Sequence, residues 1–404
     1  MSTTAEWTIL VFLNAKNDLE EYAFPNFEQM ASIGSTPEVN LVVEMGRPQQ
    51  HHTTDFGAWS KTLRFHIQKG EQPTEAAAIA DLGATNMGDA KTLREFVRWG
   101  RETYPAKRTM LVIWNHGQGW RKEEIPEGAR PSRPQSSGGG FRSVSNDDDT
   151  GDQLFNRAIQ DELTSLLAGE QLDVIAFDAC LMAMVETAYA LRGVAKVMVA
   201  SEELEPGAGW YYDSWLQPLV AKRGDVDALG LGRLLVEGMR ASYGDTDATT
   251  LSSVALDKVG ALASAISRFS DAAVASLDAD TVAHFKTARS ACANYAPGYP
   301  MHSIDLGYFM AEVAKSPLPD SVRTAAAAVS AELSVAVVDN YASAMRVAHY
   351  GSNGLAIYFP KTGFAHQRDA DGVGYEPDNQ HYPVEFVQAE RWASFLRAYW
   401  QLVP

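Results

Sequence analysis

Six short apolar runs punctuate the first half of the chain, at residues 7–13, 39–45, 62–67, 109–114, 172–177 and 195–200. Several are continuous rather than alternating, the pattern of strands covered on both faces. Between the third and fourth, Leu93, Phe96, Val97 and Gly100 recur at helical spacing. Phe155, Ile159, Leu163, Leu166 and Leu167 do the same before the fifth. Strands alternating with amphipathic helices predict an α/β fold, a mostly parallel sheet sandwiched by helices. In such sheets chemistry gathers at the carboxyl ends of the strands.

Residues 121–150 break the rhythm with Pro126, Pro131, Pro134, Gly138-Gly139-Gly140 and then Asn146-Asp147-Asp148-Asp149. Composition of this kind buries too little apolar surface to fold alone, so a mobile surface loop is expected. Beyond about residue 225 the pattern turns α-rich, with Ala-rich helical stretches at 228–268 and 321–347. A strand candidate at 354–359 ends on Pro360, and a last helix carries Phe386, Trp392, Phe395, Leu396 and Trp400. The expected division is a catalytic α/β domain over 1–225 and a helical subdomain over 226–404, packed on the sheet and offering it one strand.

Composition narrows the function classes. The formal net charge of -17 argues against nucleic acid or an acidic membrane surface as partner, because no basic run offsets it. Only Cys180 and Cys292 occur, which excludes a disulfide framework and a Cys-rich zinc site. The N-terminus lacks a basic segment followed by an apolar core, and no run approaches the ~20 apolar residues of a membrane span. A cytoplasmic protein is expected, or a secreted one if an export signal has been removed.

Two strand ends carry candidate chemistry. The fourth run continues as Asn115-His116-Gly117, placing an imidazole at a strand tip beside a glycine that allows close approach of substrate. The fifth ends Phe177-Asp178-Ala179-Cys180, followed by an apolar segment read as a helix start. A helix N-terminus there would favour the thiolate of Cys180. His116 would exchange the proton, and the N–H groups of Gly117 and Cys180 would receive the developing oxyanion. A third, orienting group is not required, since a thiol is already partly ionised near neutral pH. Cys292 lies in a helical stretch without that setting and reads as structural. No Gly-x-Ser-x-Gly elbow suggests a serine hydrolase.

These motifs are similar, in order and spacing, to those of the clostripain family of cysteine peptidases, relatives of caspases, gingipains and legumains. The resemblance runs through residues 7–13 and Asn17-Asp18-Leu19-Glu20, Asn86-Met87-Gly88-Asp89, Tyr104-Pro105-Ala106 and Asn115-His116-Gly117. It continues through Phe177–Met182, Ser201-Glu202-Glu203, Glu205-Pro206-Gly207, Gly209-Trp210, Ser303-Ile304-Asp305-Leu306 and residues 354–360. It implies a caspase-like fold and peptide-bond hydrolysis by a Cys180–His116 dyad, with Arg or Lys on the acyl side of the scissile bond. Substrate-binding roles then fall on Asp178, Ser201, Glu205 and Trp210. Asp178 suits a pocket floor that pairs with a guanidinium, or caps the following helix, or both. Some relatives carry a second pocket acid where this chain has Ala208, leaving Glu205 as the nearest acid and Arg-versus-Lys preference open. Trp210 walls a subsite or packs in the core.

The 121–150 loop matches where family members are cut on activation. Arg142-Ser143 is the expected cleavage site, by the protein itself or by an upstream activating protease, because proline follows Arg130 and Arg133. No cofactor is required by the dyad. Calcium is a candidate ligand of the 146–152 carboxylates, against the simpler reading of a solvated acidic loop; the spacing is not that of an EF-hand. Expected partners are proteins or peptides with basic residues. A catalytically weak, peptide-binding member of the fold is the alternative function.

Overall fold

The computed structural model describes residues 4–121, 144–296, 301–346, 351–369, 372–379 and 383–404. The early strands are β1 (Ala5–Asn14), β2 (Val39–Gly46), β3 (Thr62–His66), β4 (Ala80–Asp81) and β5 (Ala106–Trp114). A hairpin of β6 (Val144–Asp147) and β7 (Asp152–Leu154) precedes β8 (Leu172–Asp178) and β9 (Ala195–Ala200). The later strands are β10 (Thr250–Ala255), β11 (Ser303–Asp305), β12 (Val337–Ala342) and β13 (Ala356–Tyr358). Nine of them form one sheet in the order β12-β10-β9-β8-β5-β1-β2-β3-β4. The central run β9-β8-β5-β1-β2 is parallel, while β10, β12, β3 and β4 add antiparallel edges.

The continuous apolar strands serve two cores. In β1, Leu10 and Phe12 face one layer while Trp7, Ile9, Val11 and Leu13 face the other. In β8, Ile175 and Phe177 are divided in the same way from Val174 and Ala176. The helices of the first part are α1 (Glu20–Ile33), α2 (Ala90–Thr103), α3 (Asn156–Leu167), α4 (Val185–Leu191), α5 (Tyr212–Ala221) and α6 (Ala228–Tyr243). Then come α7 (Val259–Ser276), α8 (Ala279–Ala291), α9 (Leu306–Lys315), α10 (Asp320–Ala336) and the helix Trp392–Leu402. Helices α1, α5 and α6 cover one face; α2, α3, α4 and the later helices cover the other. The sandwich expected from the sequence is present.

Three expectations need correction. The stretches 228–268 and 321–347 are not wholly helical, because α6 stops at Gly244 in the left-handed region and β10 follows, while α10 gives way to β12. The candidate strand at 354–359 does not join the main sheet but pairs with β11 as β13. Nor is 121–150 a loose loop at its ends. Arg121 is buried, with Nη1 and Nη2 donating to Asp369 at 2.6 Å and Nη2 also to the Met301 carbonyl at 2.7 Å. At the other end, all four residues of β6 are buried.

Candidate active site

Strands β5 and β8 lie side by side, with Trp114 opposite Asp178. His116 and Cys180 therefore stand equally far beyond paired positions, on adjacent tips. Gly117 brings the tips into contact: a Cβ there would lie 2.3 Å from the Cys180 carbonyl oxygen and 3.1 Å from the Ala179 Cβ. Any side chain would push the two apart. Asn115 fixes the first tip by donating Nδ2–H to the Asn14 carbonyl at 2.6 Å and accepting from Asn146 N–H at 3.1 Å.

Cys180 is half-buried, and its Sγ accepts the N–H of Glu205 at 3.2 Å. Burial, with the nearby charges of Glu205 and Asp178, pushes the thiol up to about 12. A group so placed is protonated at neutral pH, and the expected helix terminus does not offset this. Helix α4 begins only at Val185, and the amides before it are spent: Leu181 N–H donates to Glu203 O, and Ala183 N–H to Ser201 O. His116 pairs through Nε2 with Asp18 Oδ1 at 2.8 Å. Asp18, in the turn between β1 and α1, lies below its ordinary value, chiefly because of that hydrogen bond. Nothing in the spacing along the chain singled this residue out.

Asp178 lies near enough to the nucleophile for its charge to act on the thiol. It is 4% exposed and accepts from Trp210 N–H at 3.2 Å and from the Tyr212 hydroxyl at 2.9 Å. The carboxyl of Glu205, whose Oε1 accepts the Trp210 indole N–H at 3.2 Å, is close enough to act on that of Asp178. Two buried carboxyls this close resist ionising together. Burial raises Asp178 to about 6, and burial together with Asp178 raises Glu205 well above the usual range. Gly209, with φ 60°, permits this closure, because a Cβ would sit 2.7 Å from Asp178 Oδ1. Asn26 of α1 holds the turn by donating to Ala208 O and Trp210 O, each at 3.1 Å. Asp178 does not cap α4, whose N-cap is Met184.

The remaining candidates fall as follows. Trp210 is buried at the carboxyl pair and in the core at once. Ser201 is fully buried, its Oγ donating to Glu203 O at 2.9 Å and lying 2.9 Å from Thr250 Oγ1. Arg142 lies outside the described residues. The acidic run is tied down: Asp147 accepts from Met87 N–H at 2.9 Å and pairs with Lys16 at 3.4 Å, while Asp152 accepts from Asn86 at 2.9 Å. Among the described residues no group of three or more His, Cys, Asp or Glu could hold a metal ion.

A thiol and an imidazole on neighbouring parallel strand tips, near a buried carboxyl pair, define a Cys–His site of the kind that supports nucleophilic chemistry at a carbonyl. Comparison with known proteins is specific. Residues 11–400 match the clostripain family, peptidase C11, and the chain belongs to that family. Clostripain of Hathewaya histolytica is 28% identical over 245 residues, which make up 56% of this chain and 44% of that relative. The match therefore spans less than half the length of the curated relative. A secreted C11 cysteine protease from Bacteroides thetaiotaomicron, in complex with an irreversible peptide inhibitor, has a TM-score of 0.68 at 20% identity, covering 96% of this chain and 99% of that one. An inactive zymogen C11 protease from Parabacteroides distasonis has a TM-score of 0.63 at 19% identity, covering 98% and 99%. At these identities the two structures show a shared fold. Among the described residues no helix is long and apolar enough to cross a membrane.

Proposed function

We propose that the protein is a cysteine endopeptidase cleaving after basic residues, Arg and by extension Lys, through Cys180 and His116. The observation that carries this is the register of β5 and β8, which sets the two side chains on touching tips. The thiolate adds to the scissile carbonyl, and the N–H groups of Gly117 and Cys180 take the oxyanion. His116 gives a proton to the departing amine as the C–N bond breaks. Water, losing its proton to His116, then releases the acyl group from sulfur. The Asp178–Glu205 pair supplies the preference for basic residues, because an arriving cation can take the place of a proton there.

The thiol bonded to the Glu205 amide is a resting arrangement: attack requires that sulfur leave this donor and lose its proton. Cleavage at Arg142, by the protein itself or by an upstream protease, is the proposed release, with protein or peptide substrates as partners and calcium as a candidate activator. The elevated thiol favours one second reading, a catalytically weak peptide-binding member of the family. Incubating wild type and Cys180→Ala with Arg-, Lys- and Asp-ended fluorogenic peptides, with and without chelator, separates the two. Turnover confined to wild type and to basic peptides supports the peptidase, and silence on every peptide supports the binder. Activity surviving in Cys180→Ala removes the dyad.

A further inference from the structure

Strand β5 has β8 on one side and β1 on the other, and Leu13, Trp114 and Asp178 stand in line across the three. The residues just past these positions bring Asp18, His116 and Cys180 from three neighbouring tips, with the imidazole in the middle. The turn bearing Asp18 is fixed from both sides. Asn17, buried, donates to Asn146 O at 2.8 Å and accepts from Leu19 N–H at 2.9 Å. Glu20, buried, pairs with Arg47 at 2.6 Å. The Asp18 backbone is thus held in place, although its side chain is 72% exposed.

We infer that Asp18 is a positioning residue for His116: by accepting Nε2–H at 2.8 Å it assigns proton transfer to Nδ1. The inference rests on the peptidase reading above. In the acylation step the proton moves from Nδ1 of the imidazolium to the departing amine nitrogen while the C–N bond breaks. Asp18 stays ionised throughout and offsets the imidazolium charge before transfer. The charges acting on Asp18 are His116 and, from the segment between β2 and β3, His52. Because the carboxylate is exposed, its effect is limited in size and reduced by salt.

The test compares Asp18→Ala, Asp18→Asn and Asp18→Glu in the full, processed chain. Asp18→Ala lowers kcat about fivefold, the equivalent of about 1 kcal/mol, with KM within twofold. Asp18→Asn keeps an acceptor for Nε2–H but loses the charge, so it falls between, and Asp18→Glu restores part of the rate. In the Ala and Asn variants the alkaline limb of the kcat profile moves to lower pH. A profile superimposable on wild type, or a loss confined to KM, overturns the assignment. Nitrogen NMR of His116 in a Cys180→Ala background reads the tautomer without activity. Protonated Nε2 that becomes mixed on adding Asp18→Ala supports the role even if no peptide is cleaved; an unchanged tautomer refutes it.

Discussion

Replacing Asp178 with Asn should trade activity for stability, because the carboxyl is buried for a ligand rather than for the fold. Burial raises it from its ordinary 3.8 to about 6. An acid raised on folding destabilises the folded chain increasingly as pH climbs from the unfolded value through the folded one. The penalty is absent below about pH 4 and complete above about 6, where it amounts to ~3 kcal/mol. Asparagine removes the charge: its oxygen still accepts from Trp210 N–H, and its NH2 takes the place of the oxygen that accepted from Tyr212, donating to that hydroxyl once the hydroxyl proton turns away. The variant should therefore melt higher than wild type at pH 7, and the difference should vanish at pH 4. Losing one partner of a buried charge pair with a bound guanidinium costs ~2–5 kcal/mol, so kcat/KM for Arg-ended peptides should fall ~30-fold or more. Peptides with a neutral residue there should change little. Wild-type KM for Arg peptides should also rise as pH falls through about 6, when Asp178 takes up its proton. The assay is turnover of Arg- and Leu-ended fluorogenic peptides from pH 4 to 8, with thermal melts on the same samples. Equal losses on both peptides, or a lower melting temperature at pH 7, would refute the pocket account.

Gly117→Ala should cost at least tenfold in kcat and ~1–3 kcal/mol in stability, because the added methyl meets the Cys180 carbonyl; kinetics beside a denaturant melt check both. Iodoacetamide modification of Cys180, followed by mass spectrometry, should keep accelerating beyond pH 10 in the uncleaved chain, since the thiol is pushed up to about 12. A rate already at plateau at pH 7 would contradict the resting geometry. Arg142→Ala with an intact dyad should persist as a single chain on a denaturing gel, and unchanged fragmentation would move the cleavage site elsewhere.

What the sequence disclosed follows from what each pattern encodes. The runs at 109–114 and 172–177 are apolar without interruption, so buried strands ending on His116 and Cys180 were legible. β10 was not, because Thr250, Ser252 and Ser253 interrupt the apolar pattern between Ala-rich helices. Its hydroxyls are buried, but the partner that explains Ser252, the Gly354 carbonyl at 2.6 Å, is distant in sequence. Asp18 fell within a family-like motif, but its role was hidden for a related reason: its meeting with His116 depends on β1 lying beside β5, and strand order leaves no mark on spacing. Asp178 was found through the family resemblance, which puts an acid two residues before the nucleophile. Its closeness to Glu205 depends on the Gly209 turn folding back. The helix expected directly after Cys180 failed because Leu181 and Ala183 spend their amides on the 201–203 segment.

The central claim is that Cys180 forms the covalent bond to the substrate acyl group. Quenching turnover of an Arg-ended peptide ester in acid and mapping the added mass tests it most directly. The account predicts one acyl group, on Cys180, absent in Cys180→Ala together with all turnover. An acyl group on Cys292 or on a serine, or ester hydrolysis persisting in Cys180→Ala, would contradict it.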